Sequence, residues 1–280
     1  MSALKPELCS VHTHSTLCDG KSTPEEMAAA AWAAGVRYFG FSGHSHTFCP
    51  DDGGGVLPAD MTEYREAVLR LRREYEGRME ILLGLEWESC SDVSPDGFDY
   101  WIGSVHNLHD RETGKYYIVD WEMESLARCC VEMFHGSFPA LIGQYYADVA
   151  DVAAKKPTIL GHFDLITKLN GDGELFDEDD RHYRAAALAS LHAADPTATL
   201  LEINTGAMSR GYRTAPYPAL FLLREWHGMG GRIILTSDSH SADTVIFGYD
   251  AAAALATAAG FRESVLLTSQ GPVICPLTGS

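Results

Sequence analysis

Seven short apolar runs mark the chain, and each ends in a side chain able to hold a cation or line a pocket. The runs cover 10–14, 38–44, 81–86, 100–106, 158–162, 199–204 and 233–240, ending in His14, His44, Glu86, His106, His162, Asn204 and His240. Strands buried on both faces read as continuous apolar stretches, and in α/β barrels the reactive side chains gather where parallel strands end. The repetition therefore predicts seven parallel strands that aim imidazoles and carboxylates at one mouth.

Helices are expected between the runs. At Ser22-Thr-Pro-Glu-Glu26 a hydroxyl cap, an early proline and acidic residues suit a helix N-terminus, and Gly35 ends that helix. Apolar spacing with flanking Gly or Pro predicts further helices over 60–75, 121–134, 138–153, 180–193, 218–228 and 243–259. Strand and helix thus alternate, and right-handed crossovers would close the similar strands into an irregular α/β barrel. The 280 residues suffice for a large core, and barrels of roughly 200–250 residues fold as one unit, so 1–280 is read as a single domain.

Composition narrows the partners. Hydrophobic residues make up 46% and charged residues 21%, an ordinary globular balance without a linker. No apolar stretch approaches the roughly 18 residues of a membrane helix, and Met1-Ser-Ala-Leu-Lys-Pro-Glu lacks the apolar core of a signal peptide. A cytoplasmic protein with no membrane partner is expected. Lys and Arg number 21 against 39 Asp and Glu, a net charge of −18 that repels a nucleic-acid backbone. The seven cysteines are irregularly spaced and Cys129 adjoins Cys130, a pattern of reduced, buried thiols rather than a disulfide framework. Cys9 and Cys18 flank the first His pair, but without C-x-x-C spacing they are read as apolar filler.

The chemistry begins with His12 and His14, which share one strand face and can hold one cation together. His44, His106, His162 and His240 end further strands, and Asp19 follows His14 in a Cys-Asp-Gly turn. Glu86 closes an apolar strand, where a buried carboxylate needs a cation beside it. Glu88 lies on the same face and could compete, but the apolar run stops at Glu86, which is the preferred ligand. Asp238 and His240 repeat the two-residue spacing. Nine oxygen and nitrogen donors point to several metal ions. Zinc, manganese and iron accept such mixtures, whereas calcium and magnesium fit poorly.

His12-Thr-His14, Gly43-His44-Ser45, His162 and Asp238-Ser-His240 resemble the four signature motifs of the polymerase and histidinol phosphatase (PHP) family of metal-dependent phosphoesterases. The resemblance spans nearly the whole chain. Within that family, Gly103-Ser-Val-His106, Gly161-His-Phe-Asp-Leu-Ile166, Glu202-Ile-Asn-Thr-Gly206, Ser209-Arg-Gly211 and Pro216-Tyr-Pro218 are similar to the monofunctional histidinol-phosphate phosphatases. It implies a distorted (β/α)7 barrel with three divalent metal ions at the C-terminal ends of its strands. His12, His14, Glu86 and Asp238 would hold one metal, Glu86 would bridge to a second on His106 and His162, and Asp19, His44 and His240 would take the third. The second motif departs from the family pattern: Ser42-Gly-His44 lacks an acidic neighbour, and His46 is read as a loop residue. His109, His135, His182, His192 and His227 lie outside the motifs and are read as structural or solvent-facing.

The implied reaction is hydrolysis of L-histidinol phosphate in histidine biosynthesis by a metal-activated hydroxide, with no phosphoenzyme and with Glu86 and Asp238 organising the metals. A small phosphomonoester is the expected partner. Arg210, in Ser-Arg-Gly just after the sixth run, is the leading phosphate clamp, followed by Arg213 and Lys168. Asp164, Glu202 and Tyr217 are candidates for the substrate's cationic end, and Asn204 for organising the loop that presents Arg210. The competing classes are a PHP-type protein-tyrosine phosphatase, a phosphodiesterase or nuclease, and a non-catalytic barrel. The acidic charge disfavours nucleic acid, and nine retained donors disfavour loss of chemistry.

Overall fold

A computed structural model describes residues 8–49, 60–171 and 173–277; the Met1-to-Glu7 segment read above for a signal lies outside these. In chain order the elements are β1 (Leu8–Ser10), α1 (Pro24–Ala33), β2 (Val36–Phe41), α2 (Met61–Glu74), β3 (Glu80–Glu88) and β4 (Tyr100–Ser104). A hairpin of β5 (Asn107–His109) and β6 (Tyr116–Ile118) precedes α3 (Met123–Phe134), α4 (Phe138–Ala153), β7 (Ile159–Leu160) and α5 (Arg181–Leu191). Then come β8 (Leu200–Asn204), the single turn α6 (Gly206–Ser209), α7 (Leu220–Gly228), β9 (Arg232–Thr236), α8 (Tyr249–Ala259) and a hairpin of β10 (Glu263–Thr268) and β11 (Gly271–Pro276).

All seven expected strands form and pair in parallel, in the order β1-β2-β3-β4-β7-β8-β9. Several stop before their ligands. β7 keeps only two residues, and β9 ends at Thr236, so His162 and Asp238 stand on the loops that leave the strands. The barrel is nearly closed between its first and last strands. His14 N donates to Ser239 O at 2.8 Å and Ser239 N to His12 O at 3.1 Å, which joins both ligand-bearing segments at the mouth.

The helices follow the expected stops. Thr23 caps α1 by accepting from Glu26 N at 3.2 Å, while Glu26 accepts from Thr23 N at 2.8 Å, a reciprocal capping box. The helix expected over 243–259 begins only at Tyr249, because Gly248 adopts φ 72° after a short 3-10 turn at Ala242–Thr244. Among the described residues no helix is long and apolar enough to cross a membrane.

Alternation along the strands divides the core in two. The outward side chains of β3, Ile81, Leu83 and Leu85, pack under the helices. Inward positions Val11, Leu82, Ile102, Ile159, Leu200 and Ile234 fill the bore, and Val265, Leu266 and Leu267 of β10 pack against them from the strands' N-terminal end. Tyr100 crosses this bore, its hydroxyl donating to the carbonyl of Val11. A Cβ added at Gly40 or Gly84 would lie 2.3 or 2.1 Å from the Tyr100 ring system, so two glycines leave the slot for one tyrosine.

Gly84→Ala is therefore expected to destabilise the fold by about 1–3 kcal/mol through overpacking. Combined with Tyr100→Ala its cost should fall below the sum of the single changes, as measured by urea unfolding. Strict additivity would show that the slot does not exist in solution.

Candidate metal centre

Every donor named from the sequence converges at the strands' C-terminal ends, around Glu86. This carboxylate is 1% exposed. Its Oε2 lies 3.1 Å from His12 Nε2, 3.3 Å from His14 Nε2 and 3.1 Å from His44 Nδ1. Its Oε1 lies 2.8 Å from His162 Nε2 and 3.6 Å from His106 Nε2, and accepts from Ser104 Oγ at 2.8 Å. Asp238 Oδ1 approaches His12 Nε2 and His14 Nε2 at 3.5 and 3.4 Å. On the outer side Asp19 Oδ2 lies 3.1 Å from His240 Nε2 and 3.5 Å from His44 Nε2.

Local backbone bonds produce this arrangement. Ser45 N donates to Glu86 O at 2.8 Å and Glu86 N to Gly43 O at 3.1 Å, placing His44 beside Glu86 beyond the end of β2. Lys21 N donates to His240 O at 2.7 Å, which brings the Asp19 turn against His240. Asp238 itself has φ 45°, a left-handed conformation rare for a non-glycine residue and held here by its surroundings.

Two buried acids orient the imidazoles from behind. Glu202 Oε1 lies 2.5 Å from His12 Nδ1, and its Oε2 accepts from His162 N at 2.6 Å and Asn204 Nδ2 at 3.0 Å. Glu88 Oε2 lies 2.7 Å from His106 Nδ1 and accepts from the His106 backbone at 2.9 Å. A carboxylate facing Nδ1 keeps a proton there, so Nε2 of His12 and His106 is the nitrogen that can offer its lone pair to a cation placed between it and Glu86. Glu202 is fully buried behind His12 and cannot meet a substrate, which corrects its reading as a substrate contact; Glu88 holds a ligand and leaves Glu86, the preferred residue, at the centre.

The electrostatics show what the residues lack. Burial alone would raise the pKa of Glu86, yet the surrounding imidazoles, His44 first, hold it well below the carboxylate range. Burial penalises a charged His12, but Glu202, Glu86 and Asp238 outweigh it and lift its pKa well above the imidazole range; His106 is likewise pushed up to about 10. Glu86, Glu88, Glu202 and Asp238 are all buried, with Asp19 at the rim and Arg210 as a fixed cation against Asp238. His12 Nε2, His14 Nε2 and Glu86 Oε2 are buried without a hydrogen-bond partner although they face one another. Convergent lone pairs in an anionic bowl fit divalent cations, which satisfy the donors and balance the charge. Four overlapping donor groups have this geometry: His12-His14-Glu86, His12-His162-Asp238, His44-Glu86-His106 and His14-Asp19-His44-His240.

A cavity of about 1020 Å³ opens above the cluster. Arg210 lines it, donating through Nη2 to Asp238 Oδ2 at 3.1 Å and lying 2.9 Å through Nη1 from His240 Nδ1. Lys168 also lines it, paired with Asp120 Oδ2 at 2.7 Å and set 5.1 Å over the Tyr212 ring. Arg213 does not line this cavity, and its guanidinium bonds Thr167 O and Glu178. Asp164 and Tyr217 are buried away from it, Asp164 accepting from Ala219 N at 2.8 Å. Besides the donors and Glu88, the acids and aromatics lining the cavity are Asp120, Trp121, Glu122, Tyr212 and Asp243, none of which the strand pattern singled out.

The remaining candidates fall elsewhere. His46 faces Asp92 at 3.5 Å. His109 stacks on Tyr116, His192 pairs with Glu225 and His227 packs on Phe261. Cys9 is buried in the bore cluster, while Cys18 Sγ stands 3.6 Å from His14 Nδ1.

A family model described as the PHP domain matches residues 10–206. A Bacillus subtilis protein named histidinol-phosphatase is 25% identical over 267 residues, which cover 86% of this chain and 96% of that protein. A Deinococcus radiodurans protein named "Probable histidinol-phosphatase" is 27% identical over 259 residues, covering 86% of this chain and 89% of that protein. The crystal structure of a histidinol phosphate phosphatase from Lactococcus lactis, complexed with zinc, L-histidinol and phosphate, matches with a TM-score of 0.67 at 21% identity over 97% of this chain and 100% of its own. That likeness is one of fold.

Replacing Glu88 or Glu202 with Gln should weaken metal affinity about 10–100-fold while leaving all nine donors in place. Competition with a chromophoric chelator reads this directly. Unchanged affinity in both variants would remove the orienting role assigned to these acids.

Proposed function

The chain belongs to the PHP domain family, and on that premise we propose that it hydrolyses L-histidinol phosphate to L-histidinol and phosphate, a cytoplasmic step of histidine biosynthesis. His12, His14, Glu86 and Asp238 would hold one divalent cation, Glu86, His106 and His162 a second, and Asp19, His44 and His240 a third. Zinc, manganese and iron suit these donors. Such cations, when bound, supply positive charge against the phosphoryl oxygens and lower the pKa of water.

The protein's own groups supply the rest. Glu86 and Asp238 fix where the imidazole donors meet, since each contacts more than one of them. Arg210 lines the cavity from beside Asp238, where its guanidinium fork suits a phosphate oxygen. Lys168 adds a second positive charge on the same cavity wall. Hydrolysis in this reading needs no nucleophilic side chain.

The alcohol end meets a different wall. Trp121 is 70% exposed and Tyr212 44% exposed, both at the cavity, with Asp120 beside Trp121. Exposed rings next to carboxylates suit a leaving group that carries an ammonium and an imidazole. The observation that carries the reading is the convergence of nine metal donors, Arg210 and Lys168 on one cavity of small-molecule size. The curated relatives' names agree with it.

Phosphate release from L-histidinol phosphate should exceed that from a phosphotyrosine peptide, a nucleotide and single-stranded DNA by at least about tenfold in kcat/KM, a difference of about 1.4 kcal/mol. Exhaustive chelation should abolish it, and zinc, manganese or iron should restore it. Arg210→Ala should lower kcat/KM about 100-fold with metal content retained, and Trp121→Ala should raise KM for L-histidinol phosphate more than for glycerol phosphate. Equal turnover of the peptide or the DNA would reject the assignment in favour of a tyrosine phosphatase or a nuclease.

A further inference from the structure

Arg210 and Lys168 approach the cavity from two different loops, and a third cation ties those loops together. The excursion bearing Arg210 leaves β8 after Asn204 and returns at Tyr217, where Asn204 N donates to Tyr217 O at 3.0 Å and Tyr217 N to Asn204 O at 2.9 Å. Asn204 Oδ1 also accepts from Gly206 N at 2.8 Å. These bonds close the base of the excursion; inside it Arg210 N donates to Gly206 O at 3.2 Å and Arg213 N to Ala207 O at 3.3 Å, so both arginines stand on one turn built from α6.

The loop bearing Lys168 leaves β7 after His162. Asn170, fully buried, folds it: Oδ1 accepts from Leu175 N and Phe176 N, both at 3.1 Å, and Nδ2 donates to Phe176 O at 3.0 Å and Glu178 Oε1 at 2.9 Å. Arg213 bridges the two loops. Its Nη1 donates to Thr167 O at 2.8 Å and Glu178 Oε1 at 3.2 Å, and its Nη2 to Glu178 Oε2 at 3.4 Å. Thr167 is the residue next to Lys168, and Arg213 stands three residues after Arg210. Only a planar fork reaches the carbonyl and both carboxylate oxygens together; a lysine cannot.

We propose that Arg213 is a positioning residue: its fork on Glu178 and Thr167 sets the separation of Arg210 and Lys168, and so shapes the subsite that receives the phosphate. The proposal rests on the reading that Arg210 meets the phosphate. Arg213 itself does not line the cavity.

A double-mutant cycle on the metal-loaded enzyme tests it, using kcat/KM for L-histidinol phosphate and inhibition by inorganic phosphate, with thermal unfolding and metal content as controls. Arg213→Ala should lower kcat/KM about tenfold and weaken phosphate inhibition by a similar factor, yet cost less than about twofold in the Arg210→Ala background. Arg213→Lys, which keeps charge but not the fork, should resemble Arg213→Ala, and Glu178→Gln should fall between it and the parent. If Arg213→Ala does not fold, the Lys and Gln variants carry the same cycle. Losses of equal size in both Arg210 backgrounds, or full activity of Arg213→Lys, would overturn the clamp. A silent Arg210→Ala would instead refute the phosphate role of Arg210, whereas an impaired Arg210→Ala with a silent Arg213→Ala would refute the clamp alone.

Discussion

The whole mouth of the barrel is organised by the cost of keeping one ionised carboxylate out of water. Glu86 is shut off from solvent and faces five imidazole nitrogens within 3.6 Å. A buried charge of this kind is tolerated only where opposite charge and hydrogen bonds surround it. The imidazoles arrive from several different strand ends, so the charge requirement of one residue and the parallel closure of the sheet are mutually dependent. Glu88 and Glu202 extend the same logic by fixing which ring nitrogen carries the proton.

Scaffold and site meet where the barrel closes. The backbone pairing of Thr13 with Ser239 joins the first strand's ligands to those that follow the last, although these residues lie far apart along the chain. Beneath them the bore is packed by side chains, with Tyr100 laid across two glycines and the β10–β11 hairpin closing the far end. Close-packed cores deform little, which suits a cluster whose donors must hold their geometry within tenths of an ångström.

Much of this was legible in the residues. An apolar run that stops at His, Asp or Glu has few explanations in an α/β chain, and six of the seven runs stop so, which made the strand count and most of the donors readable from the residues. The supporting acids were not legible in the same way. Glu202 lies inside an apolar run, and its partner His12 lies 190 residues earlier, so nothing local separates a residue that orients a ring from one that meets a ligand. Arg210 and Arg213 share one loop, and only the position of Glu178, 35 residues upstream of Arg213, turns the second away from the cavity. The cavity's aromatic wall escaped for another reason. Trp121 and Tyr212 sit on connections whose course depends on tertiary packing rather than on periodicity.

The sealed bore has one more consequence. Because the floor beneath the cluster is tyrosine and aliphatic packing, the donors are reached, among the described residues, from the cavity that Trp121 and Tyr212 help to line. Any ion or solute that reaches the donors therefore enters and leaves on the side that those two rings line.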